Sequence, residues 1–369
     1  MPGPEERMQG MNLEKTRLMC AAATGIVLAT SGLAAASAAG ATRVGAPRPA
    51  GDLPEFGSLG ALAATSATNA WVVGNVGPDS KAVIFHWNGK TWRSVFSPSH
   101  TGLASLAATS ASNAWAVGNN GIFHWNGKTW KRVPAPEGDL ESVTATSATN
   151  AWAVGFSSTS KTTRSLILHW NGRTWQRVAS PDPAKATVVM LDGVSATSAR
   201  NAWAVGSSDN PVTSNSRSLI LHWNGKTWKS VPNPDAAPGP AAVAARSAGS
   251  AWVVGETGFA STWILRWNGR TWQRVPSPNP DEGSYLYDVA ATSATNAWAV
   301  GHTGTRSGLI LRWNGKTWTQ VTASAPGVLS SVAATSAANA WAAGFTQPSQ
   351  NVVKLLLMRW NGTAWKTLT

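Results

Sequence analysis

The residues with chemistry to offer are few and scattered. The carboxylates Asp192, Asp209, Asp281, Glu282 and Asp288 and the phenols Tyr285 and Tyr287 are the candidate ligand-binding groups, and five of them crowd into one stretch of eight residues. Paired carboxylates could serve acid–base work or hold a cation, and a phenol could stack or donate. A second set is basic: Lys90, Lys128, Arg173, Lys226, Arg270 and Lys316 recur in N-G-[KR]-T-W and could touch an anionic polymer. His86, His124, His169 and His222 also occupy one repeated position, before W-N-G, where Arg266, Arg312 and Arg359 stand later in the chain. The same position in separate repeats cannot converge on one metal ion, so these histidines read as structural. Glu137, Asp139 and Glu141 could offer oxygens to Ca²⁺, but no ligand spacing supports it and no cofactor is implied. Neither a phosphate loop nor a nucleophile elbow occurs.

What must position these groups is declared by tryptophan. All but Trp263 of the 22 Trp fall into three sets of seven. Trp71, Trp115, Trp152, Trp203, Trp252, Trp298 and Trp341 lie in short apolar runs, mostly N-A-W-A-V-G. Trp87, Trp125, Trp170, Trp223, Trp267, Trp313 and Trp360 open W-N-G, and Trp92, Trp130, Trp175, Trp228, Trp272, Trp318 and Trp365 follow five residues later. A unit of about 45 residues repeated seven times, with two turn signals and four apolar runs, predicts an all-β, seven-bladed β-propeller with four antiparallel strands per blade.

The second unit predicts strand a over 103–109, b over 113–118, c over 121–125 and d over 129–133. Asn126-Gly127 is the c–d turn, a pair in which both residues accept positive φ. Strand a is small and Ala-rich, as the crowded axis requires, and the Trp sets fill the diverging space between blades. A surface array of Trp platforms for sugar is the alternative. The a–b and c–d turns share one nearly invariant rim, and the variable b–c and d–a loops share the other. Twelve of the fourteen carboxylates after the leader fall in or beside those variable connections. The hairpin rim, with Arg93, Lys131, Arg132, Arg177, Lys229, Arg274 and Lys366 on strands d, should be strongly basic.

Residues 1–38 have the form of a secretory signal peptide: Lys15 and Arg17, an uncharged stretch from Leu18, and Ala36-Ser37-Ala38 as a cleavage site. Residues 39–56 read as a linker and 57–369 as the propeller. Cleavage would remove the single cysteine, Cys20, leaving no disulfide or thiolate site and no stable membrane span. The formal charge of +13 belongs to the mature chain, since three cations and three anions cancel in the leader. A secreted or cell-surface location follows, with an unidentified protein or cell-wall polysaccharide as partner. The cations spread around a ring do not suggest specific nucleic-acid binding.

The run Ser218–Pro232, S-L-I-L-H-W-N-G-K-T-W-K-S-V-P, resembles a unit of secreted bacterial kelch-like propellers, although most units here have one glycine after strand b rather than two. The G-K-T-W ending resembles half of the Asp-box of sialidase-like propellers, with Trp in place of the Asp. The kelch resemblance brings galactose-oxidase chemistry to mind, but that needs a Tyr–Cys crosslink, which a mature chain without Cys cannot form. A sialidase-like hydrolase would need an arginine cluster with a Tyr nucleophile. The resemblances are not specific to one activity; the constant rim and variable face favour an exported, non-catalytic binding or scaffold propeller that recognises a protein or cell-surface ligand through its variable loops. A carbohydrate-active protein, lectin or hydrolase, is the alternative.

Overall fold

The computed structural model describes residues 53–77, 80–98, 102–119, 121–210, 215–235, 239–258, 261–281, 283–304, 306–322, 327–349 and 352–368. The leader, most of the linker and Glu282 lie outside the described residues. All the regular structure described is strand: 28 strands in seven groups of four, each in the order a-b-c-d and antiparallel. Blade 1 runs from Gly57 to Phe96 and blade 2 from Leu103 to Val133. Blades 3 and 4 span Asp139–Arg177 and Val188–Ser230. Blades 5, 6 and 7 span Gly239–Arg274, Tyr285–Gln320 and Val328–Thr367. Each strand a touches the strand a of the next blade, and that of blade 7 touches that of blade 1. The ring is closed.

Trp makes the seams. The strand-b Trp of each blade meets both Trp of the next blade's c–d hairpin: Trp203 lies 4.9 Å from Trp267 and 4.9 Å from Trp272, the second pair edge to face. Trp341 of blade 7 meets Trp87 and Trp92 of blade 1 in the same way, at 5.5 Å each. All seven strand-b Trp are at most 2 % exposed. The aromatic faces that could have served sugar are therefore spent between blades, where edge-to-face packing adds to the burial of large apolar area. The hairpin Trp has a second task. Its indole N–H donates to a carbonyl of the a–b turn in every blade, from Trp87 to Ala67 O (3.1 Å) through Trp360 to Ala337 O (3.0 Å). This ties the two turns of the invariant rim together.

The c–d connection is a four-residue loop, not the two-residue turn expected of Asn-Gly. Trp87 pairs with Trp92, and only Gly89 of the loop takes positive φ (94°). Asn88 instead accepts hydrogen bonds from the Lys90 and Thr91 N–H through its side-chain oxygen. The asparagine is there as a side-chain cap, and the glycine alone supplies the left-handed residue.

The repeated histidines are structural, as expected. His222 stacks on Trp203 at 4.2 Å, and its Nε2 contacts Asn201 Oδ1 at 2.8 Å. In blade 6 Arg312 does both jobs, lying 4.9 Å over Trp298 and donating to Asn296 Oδ1 at 3.3 Å. Burial lowers the pKa of all four histidines. A depressed folded pKa contributes stability that is present above the unfolded value of about 6.5 and lost as pH falls below it. His222→Arg should therefore fold with melting at neutral pH changed by no more than a few degrees, and lose less stability than the parent between pH 7 and 5. A steeper acid loss in denaturant titrations of the variant would contradict this.

Residues Glu55 and Phe56 clip onto strand c of blade 7. Phe56 bridges Lys354, the Leu355 N–H donates to Glu55 O at 3.3 Å, and Lys354 Nζ lies 2.7 Å from Glu55. Thr163 of blade 3 meets Val188 of blade 4 by a comparable bridge. Closure thus joins complete blades, with no strand exchanged, and nothing before Trp92 pairs beside Trp365 among the described residues.

Candidate functional site

Two register shifts recur in all seven innermost strands, one beside the a–b turn and one nearer the start of the strand, and the second bears on the site. Each strand a has a β-bulge that inserts an extra residue opposite strand b. The extra residues are Gly60, Ala104, Glu141, Asp192, Ala241, Tyr287 and Ser330, each five residues before the Thr (Arg in blade 5) near the strand end. A Cβ built on Gly60 would meet nothing within 4 Å, so this position faces open space at the axis. The neighbouring residues are apolar and buried, such as Leu59, Leu191 and Leu286. All seven bulge residues keep partial solvent access. They form a ring around the axial channel, near the variable rim.

This ring corrects the expected placement of several site residues. Asp192, Tyr285, Tyr287 and Asp288 lie in strands a, not in d–a loops, because strand a begins at Val188 in blade 4 and at Tyr285 in blade 6. Glu141 likewise lies in strand a of blade 3. Asp192 and Glu141 hold the same bulge position in adjacent blades. Burial and the Glu141 charge push the Asp192 carboxyl up to about 7. Burial, with Asp139 adding to it, raises that of Glu141.

In blade 6 Tyr285 and Tyr287 converge with His302, which lies outside the repeated histidine position. His302 stacks on Tyr285 (4.9 Å, 7° between planes) and on Tyr287 (5.5 Å, 18°). Its Nδ1 is buried without a hydrogen-bond partner. Burial, helped by the Arg306 charge, lowers its pKa to about 4, so the ring is neutral. Burial and the charge of Glu256 in blade 5 raise both phenols. Arg306 sits in the left-handed region at φ 57°, a strained choice for a residue with a side chain, and donates to Gln347 of blade 7 at 3.0 Å. Blades 5, 6 and 7 thus share one polar and aromatic patch.

The other expected site residues do not join it. Asp288 is a latch between blades 6 and 7: its carboxylate accepts from Val332 N–H (2.9 Å), Ser331 Oγ (2.7 Å) and Val289 N–H (2.8 Å). Burial pushes it up to about 6, and those hydrogen bonds pull against the rise. Ser105 and Ser142, at the same register, do this work for the next blades, accepting from Val143 and Val194 N–H. Asp288→Ala should destabilise the fold by about 2 kcal/mol, the order expected for orphaning buried donors. Asp288→Ser should recover more than half of that in urea melts, and equal losses for the two variants would count against the latch. Asp209 is the penultimate residue of strand b of blade 4, with Oδ1 buried and unpartnered. Asp281 is exposed. Lys90, Lys128, Arg173, Lys226, Arg270 and Lys316 are all exposed on the opposite rim. Other loop acids are structural: Asp182 holds Ser165, and Asp235 holds Trp263 Nε1 and Arg274. Sequence reasoning missed Glu141, Glu256, His302 and Arg306 as members of the channel mouth. Aligning the units on the strand-a Thr would have exposed the column Gly, Ala, Glu, Asp, Ala, Tyr, Ser.

Among the described residues no group of three or more His, Cys, Asp or Glu is placed to hold a metal ion. Nor is any described helix long and apolar enough to cross a membrane. No protein-family model matches the chain, and no curated protein does. Solved structures do match. YCF48 bound to D1 peptide is similar at TM-score 0.55 and 16 % identity, over 85 % of this chain and 99 % of that one. A polysaccharide lyase, an ulvan lyase of family PL25 bound to -[GlcA(1-4)Rha3S]-, is similar at TM-score 0.59 and 12 % identity, over 87 % and 97 %. The WD40 β-propeller domain of Doa1 is similar at TM-score 0.55 and 12 % identity, over 82 % and 93 %. At these identities the likeness establishes the β-propeller fold.

Proposed function

We propose that this chain is an exported, non-catalytic binding propeller that recognises a protein or cell-surface ligand through its variable b–c and d–a face. One observation carries the reading: the repeat is near-uniform in its seams and hairpin rim, and its differences collect at the variable mouth of the channel. There the bulge column runs Gly60, Ala104, Glu141, Asp192, Ala241, Tyr287 and Ser330, and His302 stacks on Tyr285 and Tyr287. A face that varies on a constant scaffold is where recognition is built. The D1 peptide bound to YCF48 is in keeping with it.

A carbohydrate-active role is the second reading, favoured by carboxylates, Glu141 and Asp192, at the same bulge position of adjacent blades and by the likeness to a polysaccharide lyase. No Trp is exposed among the described residues, which weighs against a Trp-platform lectin. The test is binding of the mature protein to peptide arrays, glycan arrays and cell walls. A channel-mouth variant (Glu141→Gln, Asp192→Asn, Tyr287→Phe, His302→Ala) should lose specific binding at least tenfold. Retained binding to every array would overturn the assignment, and turnover of a bound glycan would establish the second reading.

The basic rim should add weak, salt-sensitive attraction to anionic polymers such as wall teichoic acid or acidic polysaccharide. Reversing Lys90, Lys128, Arg173, Lys226, Arg270 and Lys316 to Glu should reduce wall binding at low salt only. Binding by that variant equal to the parent's would remove the rim from attachment. Export predicts cleavage between Ala36 and Thr42, and secreted material that retains Cys20 by mass spectrometry would refute it.

A further inference from the structure

Tyr285 and Tyr287 are the chain's two tyrosines, and both stand in one strand of one blade. The cross-strand pair Tyr285–His302 corresponds to Asp139–Phe156, Gly239–Glu256 and Val328–Phe345 in blades 3, 5 and 7, and of these only blade 6 has a ring on both strands. His302 covers one face of each phenol, with planes 7° and 18° apart, and all three residues keep partial exposure. Alternation along strand b puts His302 on the same face as Trp298 and Val300, which pack against blade 7. Arg306, in the loop that follows His302, reaches blade 7 as well, its Nη1 lying 3.0 Å from Gln347 Oε1. The loops around the rings are fixed. Thr303 N–H donates to Ser307 O at 2.9 Å, and Arg306 N–H donates to Thr303 O at 2.8 Å. Gly283, at φ 85°, lies so close to Gly304 that a Cβ on it would come 3.1 Å from the Gly304 Cα. Ser284 is wholly buried and donates to Asp281 O at 2.9 Å. The fold thus keeps Arg306 left-handed, at φ 57°, beside an aromatic surface that stays accessible, and backbone strain of that kind is retained where a site is pre-organised.

We propose that Tyr285, Tyr287, His302 and Arg306 form a subsite for one neutral pyranose ring of a cell-surface glycan, seated between blades 6 and 7. This rests on the reading of the variable mouth as the binding face and names the chemistry of its ligand. A phenol offers a flat apolar face beside a hydroxyl, and only two χ angles need be fixed to present it. A pyranose offers the complement, with C–H groups on its faces and hydroxyls around its edge. Among the described residues neither phenol oxygen hydrogen-bonds to a protein group, and Arg306 has donors besides the Nη1 that Gln347 engages. Those groups suit hydroxyls. A charged ligand fits less well, because Glu256 and Arg306 act on Tyr287 with opposite sign. An apolar peptide side chain would cover the ring faces and strip water from the polar edges without replacing it.

The test uses the mature chain labelled with 3-fluorotyrosine, which gives two ¹⁹F resonances because the chain has two tyrosines. Tyr285→Phe and Tyr287→Phe assign them. The neutral probes are the methyl pyranosides of glucose, galactose, mannose and N-acetylglucosamine. Methyl glucuronide serves as the anionic ring, N-acetylproline amide as the peptide ring and glycerol as hydroxyls without a ring. All are titrated through the millimolar range, where ligands of this size bind. The expected result is a saturable shift of both resonances with at least one neutral pyranoside, and binding of the three comparison probes at least tenfold weaker. His302→Ala should weaken the pyranoside about tenfold by unseating both phenols, and its melting curve verifies that it folds. Arg306→Gln, which leaves the stack in place, should weaken it severalfold. No saturable shift with any neutral pyranoside, a tighter response to the glucuronide or the proline amide, or undiminished binding by both variants would each overturn the proposal. Array binding that the channel-mouth variant loses, without any pyranoside response, would place the error in the sugar chemistry. Array binding that ignores that variant would place it in the binding reading itself.

Discussion

Trp203→Ala should cost the protein 3–5 kcal/mol, about the value for truncating a fully buried large aromatic. Trp203 is 0 % exposed and belongs to both sides of a seam. It stacks on His222 of its own blade and packs against Trp267 and Trp272 of the next. Removing it opens a void that neither neighbouring sheet can close, because the hairpin Trp267 is also fixed to Ala248 O by its indole N–H. The seam at Trp152 has the same composition, with His169, Trp223 and Trp228 around it, so Trp152→Ala should cost a similar amount. Urea melts of the two variants check the claim. A loss below about 1 kcal/mol would mean that the seams relax and that the Trp clusters do not hold the ring.

The second large effect is one of pH. Asp192 titrates near 7 in the folded chain, against about 3.9 in an unfolded one. A carboxylate whose folded pKa is raised binds more protons folded than unfolded between those values. Its contribution to stability is therefore full below pH 4, declines as pH rises, and is gone above 7. Each unit is worth about 1.4 kcal/mol, and channel solvent screens part of the shift, so about 2 kcal/mol is expected. Asp192→Asn should be more stable than the parent by about that much at pH 8 and no more stable at pH 4. A variant less stable at pH 8 would show that the carboxylate holds the fold rather than burdening it. The histidines act with the opposite sign, losing stability as pH falls below about 6.5, so acid and base weaken the parent by separate groups.

The architecture was legible in the sequence because the seam residues are large, rare and periodic. Three sets of seven Trp admit few arrangements other than a ring of seven blades, and the Trp341–Trp87 contact closes that ring as the repeat implies. The hairpin loop was legible in place but not in kind. Asn and Gly both signal a turn, and the asparagine's use of its side chain rather than positive φ depends on a loop length that Trp87–Trp92 pairing sets. The site was less legible for a physical reason. A β-bulge adds one residue without changing composition, so Asp192 and Tyr287 read as loop residues although they lie within strands. His302 lies 15 and 17 residues from its stacking partners, and only the a–b register brings it onto them. Asp288 stood among the candidate ligands because its neighbours are polar. Its commitment to Ser331 and Val332 of the next blade has no local signal.

Function through the variable mouth of the channel is tested most directly by a hydrogen-exchange footprint of the mature protein on its bound cell-wall fraction or array-selected ligand. The account predicts slower exchange in Val188–Asp209 and Tyr285–Arg306 and at the bulge of blade 3, with the seven W-N-G loops unchanged. Protection confined to the W-N-G loops, with the strand-a bulges exchanging as in the free protein, would contradict it and move recognition to the basic rim.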